Sequence, residues 1–306
     1  AVVSIVYESP WMLDTQLRGF KAHLREPMEA FVAVVNTRNS TLVRQFGAIC
    51  ERHGADCVVS DGDEGLGEPR AEFAGGALAG ARTASDLYGA QMDWAWERVV
   101  LPRFGGSLVL LLEADMFAFA PYSALEALAG GACGSGCSMA GVAQGRESPH
   151  GEEVAYMHPS HILVDLSAIP HPSHLGFSPA QVRDVQLDVG RSAALYWEAI
   201  RGMEEAGEEH GGCLSLCWLP SVHGGSELGC FWGLREELGM PDVTMGRLMH
   251  LTRSSRWNTR EMIGAGLLDQ AAQERSDKAY NDREECLVSF LEGTGTPVVR
   301  PADLGV

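Results

Sequence analysis

The sequence has few basic residues, no long apolar run and few side chains that would bind an anion directly. It contains 23 Lys and Arg against 41 Asp and Glu, which gives a formal net charge of −18. Proteins bind the phosphates of nucleic acids through Lys- and Arg-rich surfaces, so this balance argues against a nucleic-acid-binding protein. No stretch approaches the roughly 18 apolar residues of a membrane span. An anionic ligand would therefore need a bridging divalent cation or a few well-placed Arg side chains.

Phosphate-loop, zinc and secretory motifs are also absent. Without a Walker-type lysine or GxGxxG, the chain lacks support for a glycine loop around a phosphate. Cys133/Cys137 and Cys213/Cys217 are separated by three residues, where a zinc knuckle has about two. We interpret most of the eight Cys as small buried residues, with one or two disulfides as the alternative. The first residues, AVVSIVYESP, do not resemble a secretory signal, and the compartment stays open, with the cytoplasm favoured over a secretory lumen.

Alternating strand and helix patterns predict the fold class. Apolar β-rich runs at residues 2–7, 31–36 and 57–62 are separated by segments with helical apolar spacing. Leu108–Leu112 is a run of five aliphatic residues, as expected of a strand buried on both faces, and His161–Leu166 is similar. We expect an α/β protein of Rossmann type, with a mixed, mostly parallel sheet flanked by helices.

Other segments carry weaker signals. Ser40 is the expected cap of the second helix. Ser138–Ala143 predicts a strand, Gln144–Glu153 is polar and irregular, and 191–209 has helical spacing. The residues 213–233 mix Trp, Gly and Pro and receive no assignment.

Two acids follow the central strand at Glu113-Ala114-Asp115. In open α/β sheets, ligands bind at the carboxyl ends of the strands, where these carboxylates would lie. Oxygen ligands suit magnesium or manganese, which in turn hold phosphate oxygens. The alternative is that both acids simply end a strand in solvent.

The order of these segments resembles a glycosyltransferase of the GT-A fold, which transfers a sugar from a nucleotide diphosphate. The resemblance covers most of residues 2–258 and rests on order and local pattern. It is carried by VVSIVY, FVAVVN, SDLYGAQMDWAWERVV, SLVLLLEADMF, HILVDLSAIP, LDVGRS and MHLTRSSRW.

The resemblance implies a metal site. In the family, an Asp-x-Asp motif ends a central strand and holds a Mn²⁺ or Mg²⁺ ion together with the donor diphosphate. Glu113-Ala114-Asp115 matches it, with Glu in place of the first Asp. His250, in MHLTRSSRW, corresponds to a late His that completes the metal shell. A structural histidine is the alternative for His250.

The resemblance also implies a site for the nucleotide-sugar, UDP- or GDP-linked. Asn36 and the first strand's end would contact the nucleobase, although Asn36 can equally cap a turn. The helix before the central strand would face the donor, and the segment after His250 would hold the diphosphate and wall the sugar site. The residues so implied are Val6, Tyr7, Glu8, Asn36, Arg82, Asp86, Gly89, Glu113, Ala114, Arg253, Ser255 and Trp257.

Asp188, in LDVGRS, corresponds to an acid near the acceptor and can take the proton of an acceptor hydroxyl. It can equally cap the helix that begins near Arg191. The His residues do not form a compact zinc ligand set. They are His150, His158, His161, His171 and His174.

These features predict a metal-dependent glycosyltransferase, a hexosyl- or pentosyltransferase, acting on a glycan, protein or small-molecule acceptor. Its single domain would comprise a nucleotide-sugar-binding half (1–123), an acceptor-side half (124–260) and a peripheral C-terminal segment (261–306). The alternatives are a non-catalytic glycan-binding or structural member of the fold and a sugar-phosphate nucleotidyltransferase. Neither the donor sugar nor the stereochemical outcome follows from the sequence.

Overall fold

A computed structural model describes most of the chain. The described residues are 1–60, 84–129, 136–147, 153–177, 181–182, 185–186, 196, 199–200, 202–203, 215–223, 242–251 and 270–300. Within them, no helix is long and apolar enough to cross a bilayer.

A seven-stranded sheet forms the centre of the molecule. It is flanked by helices and mostly parallel, which confirms the predicted α/β class. Its strands, in chain order, are β1 (Val2–Val6), β2 (Phe31–Val35), β3 (Asp56–Val59), β4 (Leu108–Glu113), β6 (Met139–Glu147), β7 (Glu153–Asp165) and β10 (Leu216–Leu219). Their spatial order is β10-β6-β7-β4-β1-β2-β3.

The chain reverses its winding direction at β1. From β1 it proceeds outward to β2 and β3, and then crosses back to place β4 on the other side of β1. Both β2 and β4 run parallel to β1, with Ile5 opposite Glu113 and Val6 opposite Val35. Ligands of open α/β sheets bind in the crevice at such a switch point, beyond the carboxyl ends of the strands.

Helices cover both faces of this sheet. Val2 and Leu110 face a core that contains Leu17, whereas Val3 and Leu111 face a core that contains Trp96. Because successive strand residues point to opposite faces, strands covered on both sides are apolar throughout. The helices are α1 (Pro10–His23), α2 (Ser40–His53), α3 (Ala84–Ala95), which continues through a π-helical turn (Trp96–Val100) into α4 (Leu101–Phe104), and the short α5 (Ala124–Ala127).

The cap of α2 differs from the prediction by one residue. Asn39 is the cap, since its Oδ1 accepts hydrogen bonds from the backbone N–H groups of Thr41, at 2.9 Å, and Leu42, at 3.3 Å. Ser40 is already the first helical residue.

A smaller antiparallel sheet lies beside the carboxyl end of β4. Its order is β11-β12-β13-β5. The strands are β5 (Met116–Ala118), β11 (Ser221–His223), β12 (Asp242–Thr244) and β13 (Leu248–His250), and β8 (Gln181–Val182) pairs separately with β9 (Val185–Gln186). Part of the segment that received no assignment from sequence, 213–233, therefore supplies strands to both sheets.

The prediction of irregular structure at Gln144–Glu153 is wrong for its ends. β6 continues to Glu147 and β7 begins at Glu153, so the two strands form a long antiparallel arm. A β-bulge between Gly141 and Ala143 interrupts the register. The sequence of this arm is mainly polar around Gln144–Glu147 and lacks the apolar run by which a strand is recognised.

Helix α6 (Gln270–Gly293) lies in the segment expected to be peripheral. Leu287 and Leu291 are fully buried, in a cluster with Trp11 of α1 and Met249 of β13. This part of the chain therefore packs against the small sheet. Its apolar residues are concentrated at the end of a strongly charged helix, so its composition alone suggests a surface position.

The Cys residues that the structure describes are disulfide-bonded, which was the alternative left open by the sequence. Disulfides join Cys50 to Cys57 and Cys137 to Cys217, and Cys286 is also disulfide-bonded. Cys137 pairs across the sheet rather than with its sequence neighbour, because β10 lies beside β6 and brings Cys217 opposite Ala140.

We expect the two disulfides to stabilise the protein unequally. Cys137–Cys217 closes a loop of 80 residues and Cys50–Cys57 a loop of 7. Loop-closure entropy then predicts a loss of about 4.5 kcal/mol for Cys137→Ala/Cys217→Ala and about 2.4 kcal/mol for Cys50→Ala/Cys57→Ala. Urea unfolding of both double variants would measure this, and equal losses would contradict the expectation. Peptide mapping under non-reducing conditions would verify the pairing.

A buried Tyr–His pair predicts acid sensitivity. A hydrogen bond of 2.9 Å joins the Tyr122 hydroxyl and His161 Nε2, both fully buried. Burial lowers the pKa of His161 from 6.5 to about 4. Between these values the unfolded chain binds a proton that the folded protein does not, so stability falls as the pH drops below about 6.5. The loss reaches about 3 kcal/mol below pH 4.

His161→Gln should remove this component and flatten the decline between pH 6.5 and 4. Urea unfolding at several pH values would measure the difference from the parent protein. His174→Gln, at an exposed histidine, is the matched control and should keep the parent slope. Parallel pH profiles for His161→Gln and the parent would contradict the assignment.

Candidate metal centre

The turn from β4 into β5 places both predicted acids at the switch point. Glu113 is the last residue of β4, Asp115 follows it after Ala114, and Met116 begins β5. In the small sheet, His250 pairs directly with Met116. The backbone N–H of Leu251 donates to the carbonyl oxygen of Asp115 at 3.0 Å. Pairing of two distant strands therefore brings His250 against the acidic turn.

His250 contacts both acids. Its Nε2 lies 2.9 Å from Glu113 Oε2 and 3.5 Å from Asp115 Oδ1. His250 and Asp115 are buried and Glu113 is half-buried. The site is thus largely closed by protein but retains an accessible carboxylate.

A second histidine, His158, completes a compact set of ligand atoms. One ligand atom from each of Glu113, His158 and His250 lies within 4.8 Å of the others. The two imidazole rings are 5.1 Å apart between centroids. The antiparallel register of β7 explains this position: His161 lies opposite Leu112, so the residues before it extend past the carboxyl end of β4.

Tyr88 adds a hydroxyl beside these acids. Burial raises the pKa of Tyr88 well above its usual value, and the charges of Glu113 and Asp115 raise it further. The phenol is therefore protonated at physiological pH. Within the described part of the chain, its buried oxygen has no hydrogen-bond partner. A bound ligand could supply one.

Gln16 of α1 is hydrogen-bonded to the backbone on both sides of the acidic turn. Its fully buried amide donates two hydrogen bonds, to the carbonyl oxygen of Glu113 at 2.8 Å and to that of Met116 at 2.9 Å. These carbonyls flank Ala114 and Asp115. One side chain thus joins the end of β4 to the start of β5.

The donor set fits a divalent cation. Two carboxylates and one or two imidazoles are ligands that manganese and the heavier first-row transition metals accept. Glu113, Asp115 and His250 belong to the predicted ligand set, and the geometry adds His158. Because the acids approach each other on an already acidic protein, a cation would also relieve their mutual repulsion.

The residues predicted to face the nucleobase lie at the ends of β1 and β2. The backbone N–H of Asn36 donates to the carbonyl oxygen of Val6 at 2.8 Å. Asn36 Oδ1 is buried and has no hydrogen-bond partner within the described residues, whereas Asn39 caps the following helix. Beyond the buried Val6, Tyr7 is exposed and Glu8 is half-buried. This arrangement leaves an amide oxygen available at the crevice.

The remaining predicted residues are only partly described. Asp86 and Gly89 lie on α3, with Gly89 buried, and Ala114 separates the two acids and packs against the core. The residues Arg82, Asp188, Arg253, Ser255 and Trp257 lie outside the described part of the chain.

The histidines grouped in the sequence separate in space. His158 joins the acidic turn and His161 is buried against Tyr122, while His171 and His174 stack on each other, 5.4 Å apart. His150 lies outside the described residues. Sequence reasoning missed His158, since only the long antiparallel register of β7 brings it to the acids. It also missed Gln16, a polar residue outside the apolar positions by which that helix was recognised.

Fold and site together define an α/β protein with a mixed imidazole and carboxylate site at the switch point of its sheet. No protein-family model matches the chain, and no curated protein sequence matches it. Among solved structures, a crystal structure of 4-diphosphocytidyl-2C-methyl-D-erythritol synthase is similar over 65% of this chain and 98% of that one, with 12% sequence identity and a TM-score of 0.30. A likeness at this level assigns neither a family nor an activity.

If the turn binds a cation, as its donor set predicts, replacing Gln16 should weaken that binding by changing the shape of the turn. Gln16→Met keeps the volume but leaves two buried carbonyls without donors, at a cost of roughly 2–4 kcal/mol. We expect Mn²⁺ affinity, measured by titration calorimetry, to fall about tenfold. Leu17→Ala, in the same helix, should lose similar stability, roughly 2–5 kcal/mol, without this loss of affinity. Equal loss of affinity in both variants would identify general loosening of α1 as the cause.

Proposed function

We propose that this protein is a metal-dependent glycosyltransferase that moves a sugar from a nucleotide-diphosphate sugar to a hydroxyl acceptor. The observation that carries the proposal is the imidazole and carboxylate cluster at the switch point of an α/β sheet. There, a cation held by the chain would lie in the crevice where such sheets bind nucleotides.

The position of the acids supports a diphosphate ligand. Glu113 and Asp115 leave β4 beside the end of β1, and Asn36 ends the next strand. A nucleotide lying across these ends would place its base near Asn36 and its diphosphate near the acids. Since the protein carries a net charge of −18, direct binding of a dianion at two carboxylates would be repulsive. A bridging cation would remove this repulsion between the carboxylates and the diphosphate.

Different side chains of the protein would have different roles in the sugar transfer. Glu113, Asp115 and His250 would hold the cation, which when bound neutralises charge on the departing diphosphate. The Tyr88 hydroxyl would donate a hydrogen bond to the nucleotide-sugar. Arg253 and Ser255 follow Leu251 in the sequence, and the backbone N–H of Leu251 is hydrogen-bonded to Asp115 in the acidic turn. We therefore propose both residues as contacts of the diphosphate.

In the reaction, the bond between the sugar C1 and the diphosphate oxygen breaks and a bond from C1 to the acceptor oxygen forms. The acceptor hydroxyl must lose its proton to a base, and Asp188 remains the candidate. Trp257 remains the candidate wall of the sugar site. Both assignments rest on the sequence resemblance alone.

The connection after β1 favours sugar transfer over nucleotidyl transfer. Nucleotidyltransferases of similar fold usually place a Gly-rich loop with Arg and Lys directly after the first strand. Here Tyr7, Glu8 and Ser9 are the whole connection between β1 and α1, and Pro10 starts the helix. Three residues without glycine or a cation cannot surround a triphosphate.

Asp115→Asn tests the proposal through ligand-induced stability. With Mn²⁺ and nucleoside diphosphate at about 100 times the dissociation constant, binding to the native state adds about 2.7 kcal/mol. The melting temperature of the parent protein should rise by roughly 4 °C for one nucleotide, with no rise in the variant. Thermal denaturation against a panel of nucleotides, with and without manganese, would measure this. Glu292→Gln, at an exposed ion pair on α6, is the matched control.

The released product separates the alternatives. A glycosyltransferase frees a nucleoside diphosphate from a nucleotide-sugar, whereas a nucleotidyltransferase frees pyrophosphate from a nucleoside triphosphate. A non-catalytic member would free neither, and its partner interactions would survive Asp115→Asn. Pyrophosphate release with any sugar phosphate, or the absence of a manganese-dependent shift with every nucleotide, would overturn the proposal.

A further inference from the structure

We propose that His158 is a fourth ligand of the cation site, and that this second imidazole makes the site select a transition-metal ion, of the manganese, cobalt or zinc class, over magnesium. The inference rests on the proposed function, because it concerns the same cation. It adds a residue that sequence reasoning did not assign to the site and restricts the choice of metal.

The spacing of the ligand atoms supports a shared ion. Ligand atoms of Glu113, His158 and His250 all lie within 4.8 Å of one another. Two ligands each roughly 2.1 Å from one ion are at most about 4.2 Å apart. A side-chain contraction of less than about 1 Å would therefore bring all three onto one cation. Asp115 Oδ1, 3.5 Å from His250 Nε2, adds the fourth donor.

Strand geometry keeps His158 beside the acids. His158 precedes Pro159, which disfavours helical geometry at His158 and keeps this part of β7 extended. His161, three residues later, is fully buried and bonded to Tyr122. The strand is thus anchored in the core on one side of His158. Its imidazole is held near the turn rather than borne on a surface loop.

Ser160 contacts the Nδ1 atom of the His158 ring. Ser160 Oγ lies 2.8 Å from His158 Nδ1, and the Ser160 backbone N–H donates to the same nitrogen at 3.1 Å. The backbone bond makes Nδ1 an acceptor, so in this arrangement the ring proton is on Nε2. Binding of a cation at Nε2 requires the proton to move to Nδ1, where it is donated to Ser160 Oγ and replaces the backbone bond. We assign Nε2 as the ligand and Ser160 as its positioning residue.

The balance of nitrogen and oxygen donors determines the metal. Magnesium prefers oxygen ligands and keeps several waters, whereas imidazole suits zinc, cobalt and, more weakly, manganese. Glu113 and Asp115 alone would accept either class. Two imidazoles added to them shift the preference away from magnesium.

Pulsed electron paramagnetic resonance of the whole chain with Mn²⁺ alone would test the inference. We expect ¹⁴N modulation from two imidazoles in the parent protein and from one in His158→Gln, with manganese affinity lower by roughly tenfold or more. His174→Gln should retain both couplings. Magnesium at about 100-fold excess should fail to displace manganese from the parent protein.

Each outcome has a distinct meaning. Two nitrogens that remain in His158→Gln, one nitrogen in the parent, or ready displacement by magnesium would overturn the inference and leave the proposed function intact. No manganese binding by the parent, with or without nucleotides, would remove the proposed function as well. If His158→Gln fails to fold, ¹⁵N-histidine labelling of the parent counts the coordinated rings directly. Ser160→Ala should keep both couplings with roughly tenfold weaker binding.

Discussion

The turn between β4 and β5 is the constraint on which the rest of the site depends. Glu113 ends a strand that is buried on both faces, and Asp115 lies in the turn directly after it, so their backbone cannot move without disturbing the core. Gln16 ties the carbonyls on either side of the turn together. Pairing of Met116 with His250 then brings in a strand from far along the chain. A helix, the large sheet and the small sheet all meet at these few residues.

Electrostatics gives this meeting point its chemical character. His250 Nε2 lies near the carboxylates of both Glu113 and Asp115. His158 adds an imidazole beside His250, and Tyr88 adds a hydroxyl beside the acids. Under the proposed function, a cation bound there would compensate the negative charge of the acids and would bind the anion in the crevice.

Much of the scaffold could be predicted from sequence. The runs that became β1, β2 and β4 were recognisable because strands covered by helices on both faces must be apolar at every position. The arm of β6 and β7 was partly missed, since its polar outer half carries no such signal. Helix α6 was expected at the periphery because its charged composition conceals Leu287 and Leu291. The cysteine pairing could not be predicted from sequence for a related reason: neighbouring strands, and not proximity in the chain, bring Cys137 and Cys217 together.

By itself the sequence determined the α/β class, the central strand and the acidic turn at its carboxyl end, because each depends on local runs of side chains. The sequence resemblance named His250, and tertiary structure alone decided that His158 also approaches those acids. His250 arrives through the register of β13 on β5, and His158 through the antiparallel extension of β7 past β4. Strand order and register arise from the packing of distant segments. No local pattern around His158 distinguishes it from His161, which the same sheet buries against Tyr122.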